Sequence, residues 1–149
     1  MKKFQSDELE FVYPDNWTLF VNDGDEHSGE EETNEVTLQS PNSSQLTIVL
    51  HEKFEDSDEL LTRAVDAFKA DYEDLEIDKA SHTVAGFELV GFDITFFYLD
   101  LLVIVELRIV EREDDKVLMM IQSESREFDE NRRLFEAITL SMLNPDVIK

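Results

Sequence analysis

The run Phe96-Phe97-Tyr98-Leu99-Asp100-Leu101-Leu102-Val103-Ile104-Val105 constrains this chain more than any other stretch. Its aromatic and β-branched side chains favour extended backbone. In a strand, neighbouring side chains point to opposite faces, and here both sets are apolar. A sheet wetted on one side alternates polar with apolar residues, so this ribbon needs cover on each face. Two arrangements meet that need. A helix lies on each face, or part of the surface is left for a partner, because large apolar patches seldom stay open on monomers.

The rest of the pattern predicts α+β structure. Phe11-Val12-Tyr13 reads as a short strand closed by the turn Pro14-Asp15-Asn16, since proline presets one turn angle and Asp and Asn tolerate unusual ones. Trp17, Leu19 and Val21 then alternate onto one face. Residues 22–34 hold Asp23, Asp25, Glu26, Glu30, Glu31 and Glu32 with no apolar residue among them, which predicts an acidic loop. Residues 35–40 and 45–51 form a hairpin around Pro41-Asn42-Ser43-Ser44. Asp56 or Ser57 caps a helix, with Glu59 completing a capping box after Asp56. Leu61, Val65, Phe68 and Tyr72 fall at helical spacing behind it. Strands at 79–84, 87–98, 101–111 and 117–123 follow with short turns, the signature of an antiparallel meander. A last helix over 129–143 buries Leu134 or Phe135, Ile138 and Met142, and Asn144-Pro145 ends it. The expectation is one domain over residues 1–149: an antiparallel β-sheet flanked by helices.

Charge narrows the partners. Against 36 acidic residues the chain sets 13 basic ones, a formal net charge of −23. Such a field repels nucleic acid and anionic lipid, favours solubility, and speeds encounter with a basic partner. The most apolar stretch, 94–110, is broken by Asp100, Glu106 and Arg108, so membrane insertion is not expected. Met1 to Glu8 carries two lysines and then acids in place of an apolar run, so no secretory signal is expected there. The absence of cysteine excludes disulfide and thiolate chemistry. Together these features suit a cytoplasmic protein.

Catalytic patterns are missing. His27, His51 and His82 lack the close spacing of metal-binding pairs. The loop Asn22-Asp23-Gly24-Asp25-Glu26 supplies oxygen ligands, but its glycines fall out of EF-hand register. No serine sits in Gly-x-Ser-x-Gly, and four scattered glycines form no phosphate-binding loop. No catalytic, cofactor or metal residue is therefore assigned, and the chain is expected not to be an enzyme. Trp17 is read as a core or rim aromatic, with ligand stacking as the second reading. Arg132 and Arg133 are placed on the polar side of the last helix.

Two short motifs carry a family resemblance. Phe-x-Tyr-Pro-x-x-Trp stands here as Phe11 to Trp17, and the last helix has the form Phe-x-x-Ile-x-x-Ser, as Phe135, Ile138 and Ser141. With the order of elements between them, the chain resembles the PsbP/Mog superfamily and its bacterial DcrB-like members. The resemblance implies a three-layer α/β/α sandwich around an antiparallel sheet. It also implies a binding or accessory role, as in a nuclear-transport GTPase partner, a photosystem subunit and the Eag-type chaperones that shield apolar helices.

The functional expectation joins both lines. The chain is a non-enzymatic protein-binding, adaptor or chaperone-like domain acting through an apolar sheet surface. Phe97, Leu99, Leu101 and Trp17 are the candidate partner-binding residues, and the partner is an apolar client segment or a second copy forming a homodimer. The alternative is a small-molecule binder or hydrolase with a pocket near Trp17 and Tyr98. A third reading is a structural subunit of a larger acidic assembly.

Overall fold

The computed structural model describes residues 1–23 and 33–145. Most of the acidic loop expected at 22–34, with His27, lies outside the described residues.

Among these residues, nine strands and two helices follow in the order β1 (Lys2–Gln5), β2 (Glu10–Tyr13), β3 (Thr18–Asp23), β4 (Thr33–Gln39), β5 (Gln45–Glu52), α1 (Ser57–Asp71), β6 (Glu76–Val84), β7 (Phe87–Tyr98), β8 (Leu101–Glu111), β9 (Asp115–Glu124) and α2 (Ser125–Leu143). β3 to β9 form one seven-stranded sheet in the order β3-β4-β5-β9-β8-β7-β6. Every neighbouring pair in it is antiparallel. The chain leaves the sheet after β5, crosses through α1 to the far edge, and returns as the meander β6 to β9. That return seats β9 against β5, with Ile48 opposite Met119.

Each sheet face has its own core, because side chains alternate along every strand. On one face α1 packs Leu60, Leu61, Val65 and Phe68 over Ile94, Phe96, Val105, Leu107 and Ile109. On the other, α2 packs Phe128, Phe135, Ile138 and Met142 over Val36, Leu46, Ile48, Val117 and Met119. The two-stranded β1–β2 ribbon joins this second layer through Leu9, Phe11 and Tyr13. The expected three-layer α+β sandwich is the one observed.

The helix signals act as their chemistry dictates. Asp56 is the N-cap of α1, and its carboxylate accepts from the backbone N–H of Asp58 and Glu59. α2 begins at Ser125, four residues before the expected 129, because the Glu124 side chain accepts the Arg126 N–H and caps the helix early. Buried Asn131 fixes how α2 sits, donating to Ser44 Oγ, which is 2.6 Å from Ser123 Oγ on β9. β1 has no counterpart in the expected elements. Its four residues are mostly exposed and carry no period-2 signal, and it exists by pairing with β2.

Candidate functional site

The β7–β8 hairpin is covered at its base and bare at its tip. Toward α1, Phe96 and Val105 are fully enclosed, each such side chain contributing about 2 kcal/mol. Phe97, Tyr98, Leu99 and Leu101 emerge beyond the helices, with 74%, 53%, 79% and 46% of their surfaces exposed. The expectation of cover on both faces thus holds along the strands and fails over the last turn. Among the described residues nine large apolar side chains are exposed, and these four share one five-residue tip.

The tip turn breaks a local rule. Leu99 and Asp100 both have positive φ, 50° and 67°. A two-residue hairpin loop needs that geometry, which normally selects Asn and Gly. Leucine there costs about 1 kcal/mol, since Cβ crowds the carbonyl oxygen. At the other end of the same strand, Ala85-Gly86 makes the turn with alanine at φ 52° and glycine at φ 81°, so only its second position has the permissive residue.

Tyr98 ties the tip to α1, meeting Tyr72 edge-on at 5.8 Å, while Tyr72 stacks on Phe96 at 4.2 Å. Tyr72 also borders an apolar groove of about 360 Å³ beside α1, with Ala64, Ala67, Phe68, Leu118 and Met120 in its walls. Acids surround this corner: Asp71, Glu73, Asp74 and Glu76 flank Tyr72 in sequence, and Glu76 Oε2 accepts from Thr95 Oγ1 on β7 at 3.5 Å.

Of the four expected contact residues the structure gathers Phe97, Leu99 and Leu101, and sends Trp17 elsewhere. Trp17 is 4% exposed and meets Phe135 of α2 edge-on at 5.5 Å. It is a core aromatic on the α2 side, whereas Tyr98 packs on the α1 side. The sheet separates Trp17 from Tyr98, so among the described residues the two share no pocket.

A second concavity was not expected. Between α2 and strands β6 to β8 lies a groove of about 890 Å³. Its floor holds Arg108, whose guanidinium donates to His82 Nδ1 at 3.1 Å, to Asp93 Oδ1 at 2.7 Å, and to the carbonyls of Phe92 and Leu107. Beside it, burial pushes the Glu106 carboxyl above the usual carboxylate range, the Arg108 charge opposing and Asp93 adding to the shift. Along the sequence, Glu106 and Arg108 only interrupt an apolar run. Their spacing of two on one strand, with Asp93 and Gly91 directly across on β7, was the available signal.

Among the described residues no group of three or more His, Asp or Glu side chains is placed to hold a metal ion. No helix there is long and apolar enough to cross a membrane.

A seven-stranded antiparallel sheet with one helix on each face is a PsbP/Mog-like sandwich. Solved structures with this fold include a Bacteroides thetaiotaomicron protein (10% identity, TM-score 0.60), covering 93% of this chain and 46% of that one. Cyanobacterial PsbP, CyanoP, from Synechocystis sp. PCC 6803 matches at 11% identity and TM-score 0.59, over 93% of this chain and 88% of that one. The Saccharomyces cerevisiae Ran-binding protein Mog1p matches at 10% identity and TM-score 0.54, over 93% of this chain and 92% of that one. The chain thus spans about half of the Bacteroides protein and most of the other two. At these identities the likeness is one of fold. No protein-family model matches the chain, and no curated protein matches it in sequence.

Proposed function

We propose that this chain is a non-enzymatic protein-binding domain of the adaptor or chaperone kind, a DcrB-like variant of the PsbP/Mog sandwich built from residues 1–149. Its working surface is the β7–β8 tip, and its occupant is an apolar protein segment with basic flanks. The carrying observation is Leu99, held at a backbone angle that disfavours leucine and 79% exposed, between the exposed Phe97 and Leu101. A chain selected for stability alone would place Asn or Gly there. Apolar residues kept at a strained, wet position point to a partner that covers them.

Charge selects the kind of partner. At a net charge of −23 two copies repel one another. The acids around Tyr72 instead suit lysine or arginine beside the apolar stretch. The groove at Tyr72, the residue that meets Tyr98 of the tip, offers such a segment a further apolar surface beside α1. Mog1p, which shares the fold, is by name a Ran-binding protein.

The test is binding of a labelled peptide with a leucine-rich centre and lysine flanks, read by fluorescence anisotropy, beside sedimentation of the protein alone. Wild type binds, and Phe97→Asp and Leu99→Asp do not, while circular dichroism stays unchanged. Peptide binding that survives both substitutions moves the site elsewhere. Self-association that both substitutions abolish, without peptide binding, makes a second copy the occupant.

A further inference from the structure

Separately from the hairpin tip, we infer that the groove between α2 and strands β6 to β8 is a binding site for a small amphoteric ligand, one carrying an ammonium group, a carboxylate and an apolar body, as free amino acids and short peptides do.

Three observations converge on it. The first is the distribution of arginine. The chain has six arginines among 36 acids. Arg63, Arg108, Arg112 and Arg126 each hold a carboxylate. Arg132 and Arg133 form no ion pair among the described residues, and both line this groove. Arg132 rests instead over the Phe128 ring, 4.9 Å from its centroid, which orients its guanidinium without neutralising it. In so acidic a chain, two exposed arginines without an ion pair at the edge of one groove suit an anionic group, and arginine's planar fork suits a carboxylate.

The second observation is Glu106. It sits in the same groove, half-buried, and makes no hydrogen bond or ion pair among the described residues. Arg108 acts on it through charge alone, because its guanidinium donates to Asp93, His82 and two carbonyls. A half-enclosed carboxylate that accepts no hydrogen bond favours an incoming donor, and an ammonium supplies charge as well as hydrogen bonds. Its raised proton affinity has the same origin: burial outweighs the opposing charges of Arg108, His82 and Arg132, none of which hydrogen-bonds to it.

The third is shape. Convergent polar groups in a concave space with an apolar wall characterise small-ligand sites. Val84, Ala137 and Leu140 furnish that wall here, and about 890 Å³ exceeds what one amino acid fills. His82 adds a fixed donor: its Nδ1 accepts from Arg108 Nε, so in the neutral ring the proton sits on Nε2.

The experiment is a titration of the ¹⁵N-labelled protein with leucine, glycyl-leucine and leucyl-phenylalanine, followed by NMR. N-acetylated and C-amidated leucyl-phenylalanine serve as the blocked forms. The expected result is saturable shifts at groove residues with a Kd of about 1 mM or tighter for at least one zwitterion, weakened about tenfold by either block. Glu106→Gln then weakens the free-amine ligand and leaves the acetylated one unchanged. Arg132→Ala/Arg133→Ala weakens the free-carboxylate ligand and leaves the amide unchanged. The inference is overturned if none of the three probes shifts groove residues, or if blocked and free forms bind alike. Because neither variant touches the β7–β8 tip, peptide capture by Phe97 and Leu99 is read independently.

Discussion

Arg108 Nη2 donates to Asp93 Oδ1 at 2.7 Å across the β7–β8 pair, joining a guanidinium side chain that is 7% exposed to a carboxylate that is 42% exposed. The asymmetry decides which partner matters more. Removing Asp93 strands a buried cation, whereas removing Arg108 leaves a carboxylate that water reaches. Asp93→Ala is expected to cost about 2 kcal/mol, at the low end for a broken buried pair because water screens the acid. The double variant Asp93→Ala/Arg108→Met should recover part of that loss. Urea unfolding of the single and double variants measures both.

Glu106 makes stability depend on pH in a specific direction. Burial raises its folded-state pKa, so the folded protein holds this proton more tightly than the unfolded chain does. Its favourable contribution is full below the ordinary glutamate range and is lost as pH rises through the raised value. Glu106→Gln, which cannot ionise, should therefore be more stable than wild type at neutral pH, and the difference should vanish under acid conditions. Thermal unfolding across that range tests the sign.

The tip should show a trade between stability and binding. Leu99→Asn relieves the left-handed backbone and should stabilise the fold by about 1 kcal/mol, while weakening capture of the apolar, lysine-flanked peptide. Phe97→Asp removes an exposed side chain and should change stability by less than about 0.5 kcal/mol. A Leu99→Asn protein that is no more stable than wild type would show that the turn is not strained.

Gly91 marks a close approach. A Cβ built there would lie 2.0 Å from the Leu107 carbonyl oxygen and 2.8 Å from its carbon. The obstacle is backbone of the paired strand, which shifts only by loosening the β7–β8 ladder. Gly91→Ala should cost about 3 kcal/mol, toward the upper end for overpacking. Because the same ladder carries Arg108 opposite Gly91, the substitution should also disturb the groove's amide signals.

Much of the architecture was legible along the chain. The cap at Asp56, the helix stripe of Leu61, Val65 and Phe68, the meander turns, and the double-sided apolar run at 96–105 all reappear in space. These are local signals, since capping, periodicity and turn geometry involve residues within a few positions of one another. β1 and the early start of α2 were not legible. A four-residue exposed strand takes its form from its partner, and Glu124 caps without belonging to the usual set of capping residues.

The sites divide along the same line. Sequence alone determined that Phe97, Leu99 and Leu101 would stand together, because a hairpin places them within one turn. It could not place Trp17, whose burial depends on α2 returning from more than a hundred residues away to set Phe135 against it. Nor could it assemble the polar groove, whose His82, Asp93, Glu106, Arg108 and Arg132 come from four separate elements. Alternation along a strand tells which side chains share a face. Only the packed sheet and helix decide which of those faces close and which stay open.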